Sequence, residues 1–137
     1  AHTPDAYQNI LSTIKEICID RNIITIFGCG GNRDKNKRPL MAKIAEQYSE
    51  HVYVTTDNPR NEDENNIIDD ILKGFNSTNH TIVKNRKDAI ESAIKNNNNA
   101  AIIILGKGRE NYQLVKNKKI HHSDIEIIEK YLNENHD

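Results

Sequence analysis

The sequence predicts an α/β fold, a Rossmann-like three-layer domain with a mostly parallel sheet of about six strands and one antiparallel edge strand. Short β-branched runs such as Ile23-Ile24-Thr25-Ile26-Phe27 alternate with longer segments whose apolar residues recur at helical spacing. Each gap between strands is long enough to hold a helix, as a parallel crossover requires. The 137 residues, 36% hydrophobic and 28% charged, fit one domain around one core.

Thr3-Pro4-Asp5 starts the first helix, with Thr as a cap, Pro in the first turn and Asp at the positive helix end. Ile10, Leu11, Ile14, Ile17 and Cys18 give that helix an apolar face, which runs out near residues 20 to 22. The Ile23–Phe27 run stops at Gly28 and reads as a strand buried on both faces. Pro39 opens a helix on Leu40, Met41, Ile44, Ala45 and Tyr48, and Val52 to Thr55 form the second strand. Asp63 and Glu64 begin a helix carrying Ile67, Ile68, Ile71, Leu72 and Phe75; Thr81 to Val83 make a third strand. A helix on Ala89, Ile90, Ala93 and Ile94 leads through the asparagine turn 96 to 99 into Ala100 to Leu105, the most apolar strand. Residues 112 to 120 read as a hairpin around Lys116-Asn117-Lys118, and Ser123-Asp124-Ile125-Glu126 is a capping-box sequence before a closing helix. The 19 asparagines fall in loops and on exposed helix faces and read as base-composition bias.

Charge and cysteine usage narrow the partners. Nineteen Lys+Arg against 20 Asp+Glu leave a net charge of -1, so there is no basic excess for nucleic acid or an anionic membrane. Two cysteines, Cys18 and Cys29, without CxxC spacing, suit a reducing compartment, and cytoplasm is the expected location. No apolar run approaches the roughly 20 residues of a membrane span, and no leader pattern is visible. The chain starts at Ala1, without an initiator Met and inside a motif, so it is expected to be part of a longer protein.

In an open parallel sheet, ligands bind beyond the carboxyl ends of the strands. The segments there are Gly28-Cys29-Gly30-Gly31-Asn32-Arg33-Asp34-Lys35, Asp57-Asn58-Pro59-Arg60 and Gly106-Lys107-Gly108-Arg109-Glu110. They bring Arg33, Arg60 and Lys107 beside Asp57 and Glu110, with glycines expected to let a ligand approach the backbone. A guanidinium pairs with a carboxylate and a carboxylate with an ammonium, so a pocket of both signs suits a zwitterion such as an amino acid. Asn58-Pro59 restricts the backbone ahead of Arg60 and should aim it reproducibly.

Other chemistries fit less well. GCGGNR lacks the third glycine of a dinucleotide turn and stands eleven residues from the helix at Pro39; no GxxxxGK[ST] occurs. His121-His122 are adjacent, without further ligands at zinc spacing, so no metal site is expected. Cys29 could serve as a nucleophile, but a small residue packing at a strand end is the preferred reading.

FGCGGNRDKNKRPLM, TTDNPRNEDENNIIDDIL and GKGRENYQ, with AHTPDA at the start, closely resemble the carboxyl-terminal domain of Mur ligases, in particular members that add meso-diaminopimelate. The match runs over essentially the whole chain, in the expected order. The resemblance implies a three-domain bacterial cytoplasmic enzyme of peptidoglycan synthesis, dependent on ATP and Mg2+. Residues 1–137 would be its amino-acid-binding domain, and the precursor-binding and central ATPase domains would lie outside this chain. ATP would phosphorylate the D-glutamate carboxylate of UDP-N-acetylmuramoyl-L-alanyl-D-glutamate, and the amine of diaminopimelate would attack the acyl phosphate through a tetrahedral intermediate.

By motif, DNPR gives Asp57, Asn58, Pro59 and Arg60, GCGGxRD gives Arg33, and GKGxE gives Gly106 and Glu110 as diaminopimelate contacts. Arg33 and Arg60 would hold the carboxylate that distinguishes diaminopimelate from lysine, and Asp57 or Glu110 its ammonium. His2 would lie on the nucleotide side. No catalytic acid, base or metal ligand is implied here, since the domain works by positioning. Arg109 stands where His is usual, Asn32 where Asp is common and Asn36 where Gly is common. The residues alone leave a second possibility, a stand-alone amino-acid-binding or regulatory module without ligase activity.

Overall fold

A computed structural model of the chain describes residues 3–106, 112–115, 118–121 and 123–134. Eleven elements follow in order: α1 (Pro4–Ile17), β1 (Ile23–Phe27), α2 (Lys37–Tyr48), β2 (His51–Val54), α3 (Glu64–Leu72), β3 (His80–Ile82), α4 (Arg86–Asn96), β4 (Ala101–Ile104), β5 (Tyr112–Val115), β6 (Lys118–His121) and α5 (Asp124–Glu134). β1 to β4 form one wholly parallel sheet in the order β3-β2-β1-β4. The expected alternation and fold class are therefore present. β5 and β6 pair antiparallel as a separate two-stranded sheet. The antiparallel strand expected at the edge of the main sheet instead satisfies its ladder within its own hairpin.

Burial divides the helices between the two faces of the sheet. Tyr7 and Leu11 of α1, Met41, Ala42 and Ala45 of α2, and Ile67, Ile68 and Ile71 of α3 pack with Ile23, Phe27, Val52 and Val54 on one face. Ala89, Ile90 and Ala93 of α4 cover Ile24, Ile26 and Tyr53 on the other, with Ile127 and Ile128 of α5 against the same cluster. Side chains alternate across a strand, so β1 has no face to turn to water, and all five residues are buried, the one polar member, Thr25, sharing a hydrogen bond with Ser49 Oγ. Each large aliphatic side chain so covered contributes about 1.5–3 kcal/mol. The very apolar β4 has the same two-faced requirement, Ile103 facing the first cluster and Ile102 and Ile104 the second. It lies at the sheet's edge, however, and is only half-buried.

The helix starts follow from their caps. Thr3 Oγ1 accepts from Ala6 N, Asp63 from Asn65 N, Asn85 from Asp88 N and Ser123 Oγ from Glu126 N. α2 begins two residues earlier than Pro39 predicts, which leaves the proline in the first turn, where its missing N–H costs nothing.

Candidate functional site

The loops after β1 and β2 lie against each other at the carboxyl edge of the sheet. Gly31 N donates to Asn58 O at 2.7 Å. A Cβ on Gly31 would stand 1.8 Å from Pro59 O. Gly31 is therefore required for contact between the two loops' backbones, a different role from the ligand approach expected from the sequence. The loop after β4 joins the same place at Gly106, whose φ of +117° favours glycine and whose absent Cβ would lie 2.8 Å from Asp57 Oδ2.

A cleft of about 330 Å3 opens between these loops and the start of α2. Arg33, Asp57, Asn58 and Arg60 line it, together with Thr3, Asp34, Lys37 and Arg38. Pro59 packs behind the cleft on Gly31 rather than lining it. Glu110 and His2, like Lys107 and Arg109, lie outside the described residues.

Asp57 and Asn58 are buried, while Arg33 is exposed at the rim. Arg60 has left-handed backbone, φ 54°, and its Nη1 donates to Gly31 O at 3.0 Å and Asn58 O at 3.3 Å. Its Nε–Nη2 edge makes no hydrogen bond among the described residues. That edge is the planar fork that meets a carboxylate through two parallel bonds. One nitrogen of Arg60 is thus used to hold the side chain, and the other edge is uncommitted among the described residues.

Two buried arginines that sequence reasoning missed fix these loops. Arg38, in the first turn of α2, donates from Nη1 to Glu62 Oε2 and Asp70 Oδ2, and from Nη2 to Glu62 Oε1 and Gly30 O, at 2.7–3.0 Å. Arg86, first residue of α4, grips Asp124 with Nε and Nη2 and caps the carbonyls of Thr56 at 2.9 Å and Leu105 at 3.1 Å. Those carbonyls immediately precede Asp57 and Gly106. Cys29 is buried beside Met41, its sulfur 3.9 Å from Met41 Sδ, and burial pushes its thiol up to about 12. A thiol pushed up in this way and buried against Met41 matches a small residue packing at a strand end.

Hydrogen bonds from Arg38, aided by Asn32 N–H and opposed by burial, hold the Glu62 carboxyl at about 2 rather than its ordinary 4.5. A folded value below the unfolded one gives stability that is present above about 4.5 and is lost as pH falls toward 2. The expected contribution is on the order of 3 kcal/mol at neutral pH. Urea unfolding of wild type and Glu62→Gln should show a gap at pH 6 that narrows as pH falls below about 4.5 and closes only below about 2; a pH-independent gap would contradict the assignment. Among the described residues no group of three or more His, Cys, Asp or Glu is placed to hold a metal ion, and no helix is long and apolar enough to cross a membrane.

A parallel α/β domain with a two-signed cleft beyond its strand ends has the architecture in which open-sheet α/β domains take small ligands. The chain belongs to the Mur ligase family: the family model described as Mur ligase, glutamate ligase domain, matches residues 1–108. It is 44% identical to the UDP-N-acetylmuramoyl-L-alanyl-D-glutamate--2,6-diaminopimelate ligase of Clostridium botulinum over 135 residues, 98% of this chain and 28% of that protein. The protein of the same name from Buchnera aphidicola subsp. Baizongia pistaciae is 49% identical over 135 residues, 97% of this chain and 27% of its own length. A solved structure of such a ligase superposes with a TM-score of 0.91 at 32% identity, covering all of this chain and 28% of the other. The chain thus spans little more than a quarter of the length of these relatives.

Proposed function

We propose that residues 1–137 are the amino-acid-binding domain of an ATP-dependent, cytoplasmic ligase that adds meso-diaminopimelate to UDP-N-acetylmuramoyl-L-alanyl-D-glutamate in peptidoglycan synthesis. The reading rests chiefly on the convergence of Arg33, Arg60 and buried Asp57 on one cleft, with the Nε–Nη2 fork of Arg60 unspent. It is supported by relatives whose names carry that reaction. Arg60 and Arg33 would take the remote carboxylate of diaminopimelate, and Asp57, with Glu110, the remote ammonium. Asn58 would line the pocket, with Pro59 packed behind it on Gly31 and Gly106 abutting Asp57. Fixing the far end of the substrate leaves its reacting amine placed for attack on the acyl phosphate, so the domain contributes by positioning. ATP and Mg2+, which supply the phosphoryl group and its charge neutralisation, would be held mainly by parts of the ligase outside this chain, with His2 on the nucleotide side.

Titrating the isotope-labelled chain with meso-diaminopimelate and with L-lysine tests this directly by NMR. Amide shifts at Gly30, Arg33, Asn58 and Arg60 are expected with the first ligand, at millimolar concentration because one domain supplies only part of the pocket. Lysine, lacking the second carboxylate, should shift them far less. Arg60→Ala is expected to weaken diaminopimelate binding by roughly 30- to 700-fold, the equivalent of about 2–4 kcal/mol for a lost charged pair. In a complete ligase it should spare ATP binding. Equal response to both ligands, or equal loss of diaminopimelate and ATP binding, would sink the reading.

A further inference from the structure

We infer that Arg38 and Glu62 form a positioning pair that sets substrate selection by holding Arg60 in place; the link to selection, though not to Arg60 itself, rests on the function proposed above. Arg38 is 1% exposed, and four of its five donors are used. The fifth, Nε, is buried without a partner among the described residues. A guanidinium kept in place at that desolvation cost does more than fill space. Its Nη2 reaches Gly30 O at 2.9 Å, and the Glu62 carboxylate it grips also accepts Asn32 N at 3.1 Å. The loop 30–32 is therefore clamped on both sides of Gly31, the residue whose carbonyl receives Arg60 Nη1.

Backbone conformation points the same way. Asn32 and Arg60, one on each of the two loops, both have left-handed φ, 55° and 54°. Such residues persist only where their surroundings over-determine them. For Asn32 the restraint is the bond to Glu62; for Arg60 it is the pair of carbonyls, one of them on the clamped loop. Asp70 is the useful contrast, since it accepts from Arg38 at 3.0 Å and Lys73 at 3.3 Å and makes no hydrogen bond to the loop among the described residues.

The experiment compares wild type, Glu62→Gln, Arg38→Lys and Asp70→Asn in the 137-residue chain. Without ligand, Glu62→Gln is expected to shift the Arg60 Nε–H and Gly31 amide resonances and to speed their exchange with solvent by at least tenfold. Asp70→Asn should leave both in place while lowering thermal stability. With ligand, Glu62→Gln should reduce the ratio of meso-diaminopimelate to L-lysine affinity about tenfold, leaving lysine affinity unchanged. Arg38→Lys, which keeps the charge but loses the fork, should behave as Glu62→Gln if it folds. Unmoved Arg60 and Gly31 resonances in Glu62→Gln would overturn the proposal, as would a selectivity loss shared equally by Asp70→Asn. If wild type itself shows no preference between the ligands, the proposed function fails, and the ligand-free resonances still decide whether Glu62 and Arg38 hold Arg60.

Discussion

Arg86→Ala is expected to destabilise the chain by about 3–5 kcal/mol, the usual consequence of removing one partner of a buried ion pair. The guanidinium is 2% exposed and Asp124 4%, so solvent cannot replace the lost bonds. Two backbone carbonyls, Thr56 O and Leu105 O, lose the hydrogen bond from Arg86 in the same step, which adds roughly 1 kcal/mol for each bond lost. Arg86 also joins elements far apart in sequence: the end of β2, the end of β4 and the start of α5. Urea unfolding should show the loss. The double variant Arg86→Met with Asp124→Leu should recover a part of it, because it removes the buried carboxylate together with the guanidinium but does not restore the Arg86 bonds to Thr56 O and Leu105 O. A loss below about 1 kcal/mol in Arg86→Ala would mean that the network is dispensable. Because those carbonyls precede Asp57 and Gly106, diaminopimelate affinity should fall as well, measured at a temperature where the variant is still folded.

Most of the framework was legible because it depends on local rules. The run from Ile23 to Phe27 has no polar face to offer water, and Thr3, Asp63 and Ser123 cap as their residue types dictate. The charged loops were legible too, since the end of each parallel strand is where a ligand site forms. What was not legible was support reaching across the sequence. Arg38 meets Glu62 24 residues away, and Arg86 meets Asp124 38 residues away. Both arginines nonetheless left a trace in the sequence. Each sits in the first turn of a helix, where the macrodipole disfavours a cation, and α2 has no acidic residue there to compensate. Exposed Lys37 and Lys87 share those first turns, so the position alone does not single out the two arginines; burial and their distant carboxylates do. The asparagine at 85 was another missed cap, hidden among the 19 asparagines of the chain. The placement of the hairpin apart from the parallel sheet depends on which edges pair, which residue pattern does not specify.

Gly31→Ala should have the most selective effect on the cleft. The added methyl would stand 1.8 Å from Pro59 O and 2.5 Å from Pro59 C, both backbone atoms that no rotamer change can move. One loop must therefore separate from the other, breaking the Gly31 N to Asn58 O bond and shifting the carbonyl that holds Arg60. Overpacking of this kind typically costs about 1–3 kcal/mol, and a clash between two backbones belongs at the upper end. Ile90→Ala supplies the control. It is fully buried on α4, against the opposite face of the sheet, and truncating it should cost about 2–5 kcal/mol without touching either loop. The two variants should thus be of similar stability and opposite in function: Gly31→Ala losing at least tenfold in diaminopimelate affinity, Ile90→Ala staying within about twofold of wild type at a temperature where both are folded. If Gly31→Ala kept its affinity, Arg60 would not depend on the contact between the loops. If Ile90→Ala lost as much, the cleft would be responding to general loosening of the domain, and the geometry at Gly31 would have no special part in aiming Arg60.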